Sequence, residues 1–218
     1  MSTTKQNPAK IIALFGGTFD PIHLGHILPV QATAKWLGAE QLHLIPAHIP
    51  PHKIATHASA SQRAEMVSIV CQQYNYEIDT RELNRKSRSY TIDTLHEIKA
   101  EQPQTSLYFI MGMDSLLSFT QWYKWQDILN LCNLVVNIRP GYDHDALETK
   151  LEPELASRLV YNIEQLKRQQ VGQILIHECK ELDISSTTIR AKIKAGENCR
   201  QLLPEAIYNY IEQNKLYR

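Results

Sequence analysis

The sequence predicts an α/β fold, a parallel sheet carrying helices on both faces, with a helical C-terminal extension. Two observations predict it. Short apolar runs alternate with helix-length segments along most of the 218 residues, the pattern of strands joined by helical crossovers. The first apolar run also breaks on paired glycines and re-enters a helical segment at once, the layout of an anion-binding strand-to-helix turn. The length suffices for one α/β unit with a buried core, so residues 1–218 are expected to form a single domain in which 185–218 are the helical C-terminal part.

In chain order, the first strand is expected at 11–15, where Ile11-Ile12-Ala13-Leu14-Phe15 run into Gly16-Gly17. A helix follows over 24–37, then a strand at 41–45. Residues 46–57 are polar and contain Pro46, Pro50 and Pro51, a loop long enough to close over a ligand. Helices are expected over 61–73 and 91–101, with a short strand at 76–78 between them and another strand at 107–111. The region 122–131 reads as helical, and 134–138 as a strand. Residues 146–170 read as one long helix, with Glu148, Glu154, Lys167 and Arg168 on its polar faces. A strand at 173–176 precedes the C-terminal part, in which Glu205-Ala206-Ile207-Tyr208-Asn209-Tyr210-Ile211 form an amphipathic helix after Pro204. Right-handed crossovers would bring the carboxyl ends of all these strands to one rim, where ligands bind.

Composition narrows the function classes. Lys plus Arg and Asp plus Glu are each 23, and the zero net charge disfavours a nucleic-acid binder or an anionic-membrane binder. Cys71, Cys132, Cys179 and Cys199 include no Cys-x-x-Cys pair, which suits reduced thiols in a cytoplasmic protein. No apolar run is long enough to span a bilayer, and Met1 to Lys10 lack the core of a signal peptide.

The chemistry concentrates in Gly16-Gly17-Thr18-Phe19-Asp20-Pro21-Ile22-His23-Leu24-Gly25-His26. Glycines admit backbone N–H groups close to an anion, and a helix N-terminus adds about half a positive charge. His23 and His26 supply donors that follow charge as it moves. A second candidate is Ile184-Ser185-Ser186-Thr187-Thr188-Ile189-Arg190, whose hydroxyls serve equally as helix N-caps or, with the Arg190 guanidinium one turn on, as a polyphosphate cradle. His48 and His52 are not read as metal ligands, because Pro50 and Pro51 forbid the helix that would align them.

The eleven-residue string resembles the signature of the nucleotidyltransferase superfamily, whose mark is His-x-Gly-His behind the first strand of a Rossmann-like sheet. Nearly the whole chain is similar to the bacterial nicotinate-nucleotide adenylyltransferases. The similarity runs through residues 16–26, Ile45-Pro46 with Pro50-Pro51-His52, Ser89-Tyr90-Thr91, Gly112 with Asp114-Ser115-Leu116-Leu117, Trp122-Tyr123, Arg139-Pro140-Gly141, residues 184–190 and Leu216-Tyr217-Arg218. The chain departs from that pattern at Ala47, His48 and Met113.

The resemblance implies transfer of the AMP moiety of ATP to nicotinate mononucleotide, giving nicotinate adenine dinucleotide and pyrophosphate in NAD biosynthesis, with Mg²⁺ arriving on the ATP and no dedicated metal site. It implies that Gly16, Gly17, Thr18 and Phe19 line the nucleotide cleft, that His23 and His26 contact the phosphates, and that Gly112 and Asp114 meet the adenosine. Ser185, Thr187 and Arg190 would form the second phosphate clamp, and Thr91, Trp122 and Tyr123 the nicotinate pocket. An indole face suits a pyridine ring. These motifs bring donors to the pocket but no Asp or Glu, which favours the acid over the amide. A mononucleotide phosphate, with a second pKa of about 6, is already mostly a dianion at neutral pH and needs no general base. Catalysis then rests on positioning and on relief of negative charge.

Overall fold

The computed structural model describes residues 10–48, 56–85, 88–138, 150–168, 171–180 and 182–218. The Pro50-Pro51-His52 and Arg139-Pro140-Gly141 motifs, Glu148 and the start of the expected 146–170 helix lie outside the described residues.

The chain opens with β1 (Ile11–Gly17), α1 (Leu24–Leu37), β2 (Gln41–Pro46), α2 (Ala60–Tyr74) and β3 (Glu77–Ile78). It continues through α3 (Thr91–Glu101), β4 (Ser106–Gly112), α4 (Met113–Leu117), a 3₁₀ turn at Phe119–Gln121, α5 (Trp125–Leu129) and β5 (Asn133–Ile138). After these come α6 (Pro153–Ala156), β6 (Leu159–Val160), α7 (Ile163–Arg168), β7 (Ile174–Glu178), α8 (Ser186–Lys194), a second 3₁₀ turn and α9 (Glu205–Gln213). Local sequence explains the sharper boundaries. Helix α2 begins at a capping box, in which the Gln62 N–H donates to Ser59 Oγ at 3.2 Å and the Ser59 N–H donates to Gln62 Oε1 at 2.9 Å.

Among the described residues the strands form one sheet in the order β3-β2-β1-β4-β5-β7-β6, and every pairing is parallel. From β1 the order runs outward through β2 and β3 on one side and through β4 on the other. The crevice between the carboxyl ends of β1 and β4 is therefore the topological switch point, where open parallel sheets bind ligands.

Both faces of the sheet are buried, which explains the near-continuous apolar strands. Ala13, Tyr108, Ile110 and Val135 pack into one layer with α1, α2 and the C-terminal Ile189, Ile207 and Ile211. Ile12, Leu14, Phe109 and Val136 pack into the other with Ile92, Leu95 and Ile98 of α3 and Ile128 and Leu129 of α5. The alternation within each strand follows the two-residue period of a pleated backbone. The chain end returns to the first crossover, where the Tyr217 hydroxyl donates to Asp20 Oδ1 at 3.0 Å.

The long helix expected over 146–170 is corrected. Pro153 opens the short α6 at its first position, where its missing N–H leaves no bond unmade, and Leu159–Val160 form an edge strand beside β7. Glu154 thus belongs to α6, while Lys167 and Arg168 close α7. In the 122–131 region only Trp125–Leu129 is α-helical, because Lys124 takes a left-handed conformation (φ 52°) at its start.

Candidate active site

The turn after β1 is built on Arg63, an α2 side chain with no solvent exposure. Its guanidinium donates to Thr18 O at 2.7 Å, Ala47 O at 2.6 Å and His48 O at 3.0 Å, clasping the ends of β1 and β2 from beneath. Burial pulls the Arg63 pKa down and the charge of Asp20 opposes that pull. Asp20 is itself nearly inaccessible and accepts from the His57 N–H at 2.8 Å, the Ala58 N–H at 3.0 Å and the Tyr217 hydroxyl. Burial alone would raise its pKa. Those three donors and the Arg190 charge nevertheless hold the carboxyl below the usual range.

Two glycines owe their place to rings. Phe19 lies in the left-handed region (φ 52°), and its ring covers Gly17 so closely that a Cβ there would stand 2.8 Å from a ring carbon. A Cβ at Gly25 would stand 3.1 Å from His23 Nδ1 and 3.1 Å from Ile184 Cβ. The glycine between the two histidines thus makes room for the His23 imidazole and for the segment leading into α8.

His23 and His26 stack with ring centroids 3.7 Å apart at 21°. His23 is 3% exposed, its buried Nδ1 has no hydrogen-bond partner in the protein, and burial pushes its pKa down to about 4. It is therefore neutral in the free protein at pH 7. Both rings stand where α1 begins with no acidic residue in its first turn and no side-chain cap, so its positive end is uncompensated by the protein.

These residues border a cleft of about 710 Å³ at the switch point. Gly16, His23 and His26 form one wall, Gly112, Asp114 and Ser115 another, and Ser185 and Ser186 close it at the start of α8. A Cβ at Gly112 would meet nothing within 4 Å, so the backbone there opens directly onto the cleft. A second cavity of about 440 Å³ lies on the other side of the β1 turn. It is lined by Gly17, Thr18, Ser89, Tyr90, Thr91, Trp122 and Tyr123, together with Glu82 and Arg88. The two cavities share Gly16, Phe109, Ser115 and Trp122. Trp122 stands edge-on to Phe109 at 6.0 Å and keeps the rest of its indole toward both cavities.

The residues singled out in the sequence fall into three groups. Gly16, His23, His26, Gly112, Asp114 and Ser185 line the larger cavity, and Gly17, Thr18, Thr91, Trp122 and Tyr123 line the smaller one. Phe19, Thr187 and Arg190 line neither. Phe19 is 2% exposed, with its ring edge-on to His26 at 5.4 Å. Arg190 donates to Asp20 O at 2.7 Å and to Thr187 Oγ1 at 3.3 Å. Ser185 acts as an N-cap, its Oγ accepting from the Thr188 N–H at 3.1 Å, while also facing the cleft.

The expectation of a smaller pocket without a carboxylate is corrected, since the irregular backbone of residues 79–85 folds Glu82 into its wall. No periodicity marks a residue in such a turn. Arg63 did leave a trace, for with Met66, Val67 and Val70 it completes the buried stripe of α2. Among the described residues no group of three or more His, Cys, Asp or Glu side chains is placed to hold a metal ion, and no helix is long and apolar enough to cross a membrane.

Comparison with known proteins gives a consistent answer. A family model described as cytidylyltransferase-like matches residues 14–192. A Yersinia pestis protein named a probable nicotinate-nucleotide adenylyltransferase is 43% identical over 219 residues, covering 98% of each chain. A Serratia proteamaculans protein of the same name is 42% identical over 221 residues, covering 100% of both. Among solved structures, Plasmodium falciparum nicotinic acid mononucleotide adenylyltransferase complexed with NaAD superposes with a TM-score of 0.72 at 17% identity, over 95% of this chain and 97% of that one.

The burial of His23 has a measurable consequence. Because its pKa falls from the ordinary 6.5 to about 4 on folding, the unfolded chain binds the proton more tightly. Its contribution to stability is complete above pH 6.5 and is lost as the pH falls toward 4, by about 3 kcal/mol in all. Unfolding free energies of the wild type and of His23→Asn, followed by urea titration from pH 7 to pH 4, should converge or cross by about that amount. A difference between the two that does not change with pH would contradict the neutral, buried imidazole.

Proposed function

The chain belongs to the cytidylyltransferase-like family and, within it, to the nicotinate-nucleotide adenylyltransferases, and from that premise we propose that it joins the AMP moiety of ATP to nicotinate mononucleotide, giving nicotinate adenine dinucleotide and releasing pyrophosphate. One observation supports the reading above the others. Two cavities of different character meet at Gly16, Ser115 and Trp122, so that two ligands bound one in each would touch there.

The larger cavity is the nucleotide site in this reading. Gly16 and Gly112 offer backbone groups there, Gly17 and Thr18 continue the same turn into the smaller cavity, and Asp114, at the start of α4, accepts from the adenosine ribose. His23 and His26 face the phosphates together with the open N-terminus of α1. Ser185 contacts the phosphates from the opposite wall. Arg190 lends its charge from behind that wall, held by Asp20 O and Thr187, and Phe19 supports the turn from below.

The attacking phosphate enters as a dianion, so no residue has to remove a proton from it. What the protein supplies is in-line geometry and donors for the charge that accumulates on the transferring group and on the leaving pyrophosphate. His23, neutral before ATP binds, takes up a proton most readily when that charge surrounds it. Nucleotidyltransferases generally use a divalent metal with ATP. The donor set here fits a metal carried in on the phosphates, since the Asp20 carboxylate is already occupied by two N–H groups and a phenol. Bound in that way, Mg²⁺ would draw negative charge from the phosphate oxygens.

The smaller cavity takes the mononucleotide. Trp122 offers a stacking face and Tyr123 packs against Tyr90 at 4.7 Å. Thr91 opens α3, which has no side-chain cap, and Arg88 stands in the wall. With Glu82 present the amide does have an acceptor within the pocket, and α3 carries Asp93 in its first turn, so a preference for the acid rests on Arg88. We take residues 1–218 as one nucleotidyltransferase domain, supported by the packing of Ile189, Ile207 and Ile211 into the layer shared with α1 and α2. We place the protein in the cytoplasm, where thiols such as these four buried cysteines stay reduced.

Purified protein supplied with ATP, Mg²⁺ and a panel of acceptor phosphates should release pyrophosphate fastest with nicotinate mononucleotide. A charge-assisted contact is worth about 1.5–3 kcal/mol, so kcat/KM for the acid should exceed that for the amide by about tenfold or more. Values within about threefold would remove the proposed role of Arg88. In the same assay His23→Ala and His26→Ala should each lower kcat about a hundredfold, with KM for ATP changing far less. Near wild-type turnover in both variants would contradict the role given to the histidines.

A further inference from the structure

The wall of the smaller cavity contains a carboxylate that the transfer reaction does not consume. Glu82 is 7% exposed, and the Thr94 hydroxyl donates to its Oε1 at 2.7 Å. Thr94 Oγ1 in turn accepts from Arg85 Nη1 at 2.9 Å, so its one proton is committed to Glu82. Ser89 stands beside the same carboxylate, whose charged form its hydroxyl favours, and its Oγ accepts from the His48 N–H at 3.0 Å. Arg85 is paired with Glu97 at 2.7 Å, which anchors the network to the outer side of α3.

Three separate segments thereby meet around one carboxylate, Thr94 bonded to it directly and His48 reaching it through Ser89. Thr94 belongs to the first turns of α3, Ser89 to the irregular backbone at 88–90, and His48 to the chain leaving β2. We propose that Glu82 is a positioning residue for the pyridine mononucleotide: it holds the Ser89-Tyr90-Thr91 wall against the end of β2 and so sets the shape of the smaller cavity. This inference rests on the reading of that cavity as the mononucleotide pocket.

Tyr90 is held by α3, its carbonyl accepting from the Asp93 N–H at 3.1 Å, while Arg88 and Ser89 lie in irregular backbone where side-chain contacts help to fix the wall. Removing the carboxylate leaves the buried Thr94 hydroxyl without its acceptor and takes away the charge beside Ser89. Burial raises the pKa of Glu82, the two hydroxyls and Arg85 draw it down again, and Asp79 adds to the rise. None of Glu82, Ser89 and Thr94 lines the larger cavity. The network is therefore selective, and its loss should be felt by one ligand and not by the other.

Calorimetric titration of the full-length protein with nicotinate mononucleotide and, separately, with ATP tests this, alongside KM and kcat for each. Glu82→Ala should weaken mononucleotide binding by about tenfold and raise its KM to match, with ATP affinity within about twofold of wild type. Glu82→Gln keeps one acceptor oxygen and should recover most of that loss. Ser89→Ala, a smaller change that spares the carboxylate, should reproduce the same split should Glu82→Ala fold poorly. Mononucleotide affinity unchanged in both Glu82→Ala and Ser89→Ala, or ATP affinity falling by the same factor, would overturn the inference alone. A wild-type protein that binds no nicotinate mononucleotide would overturn the reading of the cavity and this inference with it.

Discussion

A single buried cation organises the rim of this sheet. Removing an unpaired guanidinium from water would cost several kcal/mol, and Arg63 offsets that with three backbone carbonyls and the nearby charge of Asp20. The carbonyls come from the two chains that leave β1 and β2, which the parallel ladder has already aligned at Gly17 and Pro46. Asp20 then gathers the backbone before α2, the C-terminal Tyr217 and, through its own carbonyl, Arg190 of α8. Elements far apart in sequence thus converge on one turn. The turn lies between both cavities, so its rigidity is shared by both ligands.

On that foundation the two sites differ in the physics they offer. The larger has an uncapped helix start, two stacked imidazoles and an open backbone at Gly112, a setting that favours anions. The smaller has aromatic faces and a satisfied network of hydroxyls around a carboxylate, which favours a planar ring in one orientation. Trp122 belongs to both. Its contacts with Phe109 and Phe119 fix it to the second apolar layer while its exposed part faces the ligands.

Much of this was legible in the sequence. The bounds of α1 and α3 and the cores of β1, β2, β4, β5 and β7 follow from apolar period and from glycine punctuation, because each element buries a stripe or a full strand. Most residues read as site residues do line a cavity, because motifs at strand ends are carried to the rim by topology alone. What was not legible depends on the third dimension. Phe19 serves as a prop beneath Gly17, and Arg190 is bound to Asp20, contacts that no spacing encodes. Glu82 enters a pocket from an irregular turn, where neither a helical nor a strand period applies. The segment 150–168 misled because its charges suit a helix, although Pro153 already argued against a continuous one.

The dependence of both cavities on Arg63 is tested most directly by replacing it with methionine, which keeps the length of the side chain and removes the donors. Unfolding free energy and ATP affinity are measured on the same preparation, with Arg63→Lys as the variant that keeps charge but not the planar fork. The account predicts that Arg63→Met loses about 3–5 kcal/mol of stability by leaving three carbonyls without donors. It also predicts a loss of about tenfold or more in ATP affinity, with Arg63→Lys recovering only part of either. An Arg63→Met protein as stable as the wild type and equally tight for ATP would contradict it.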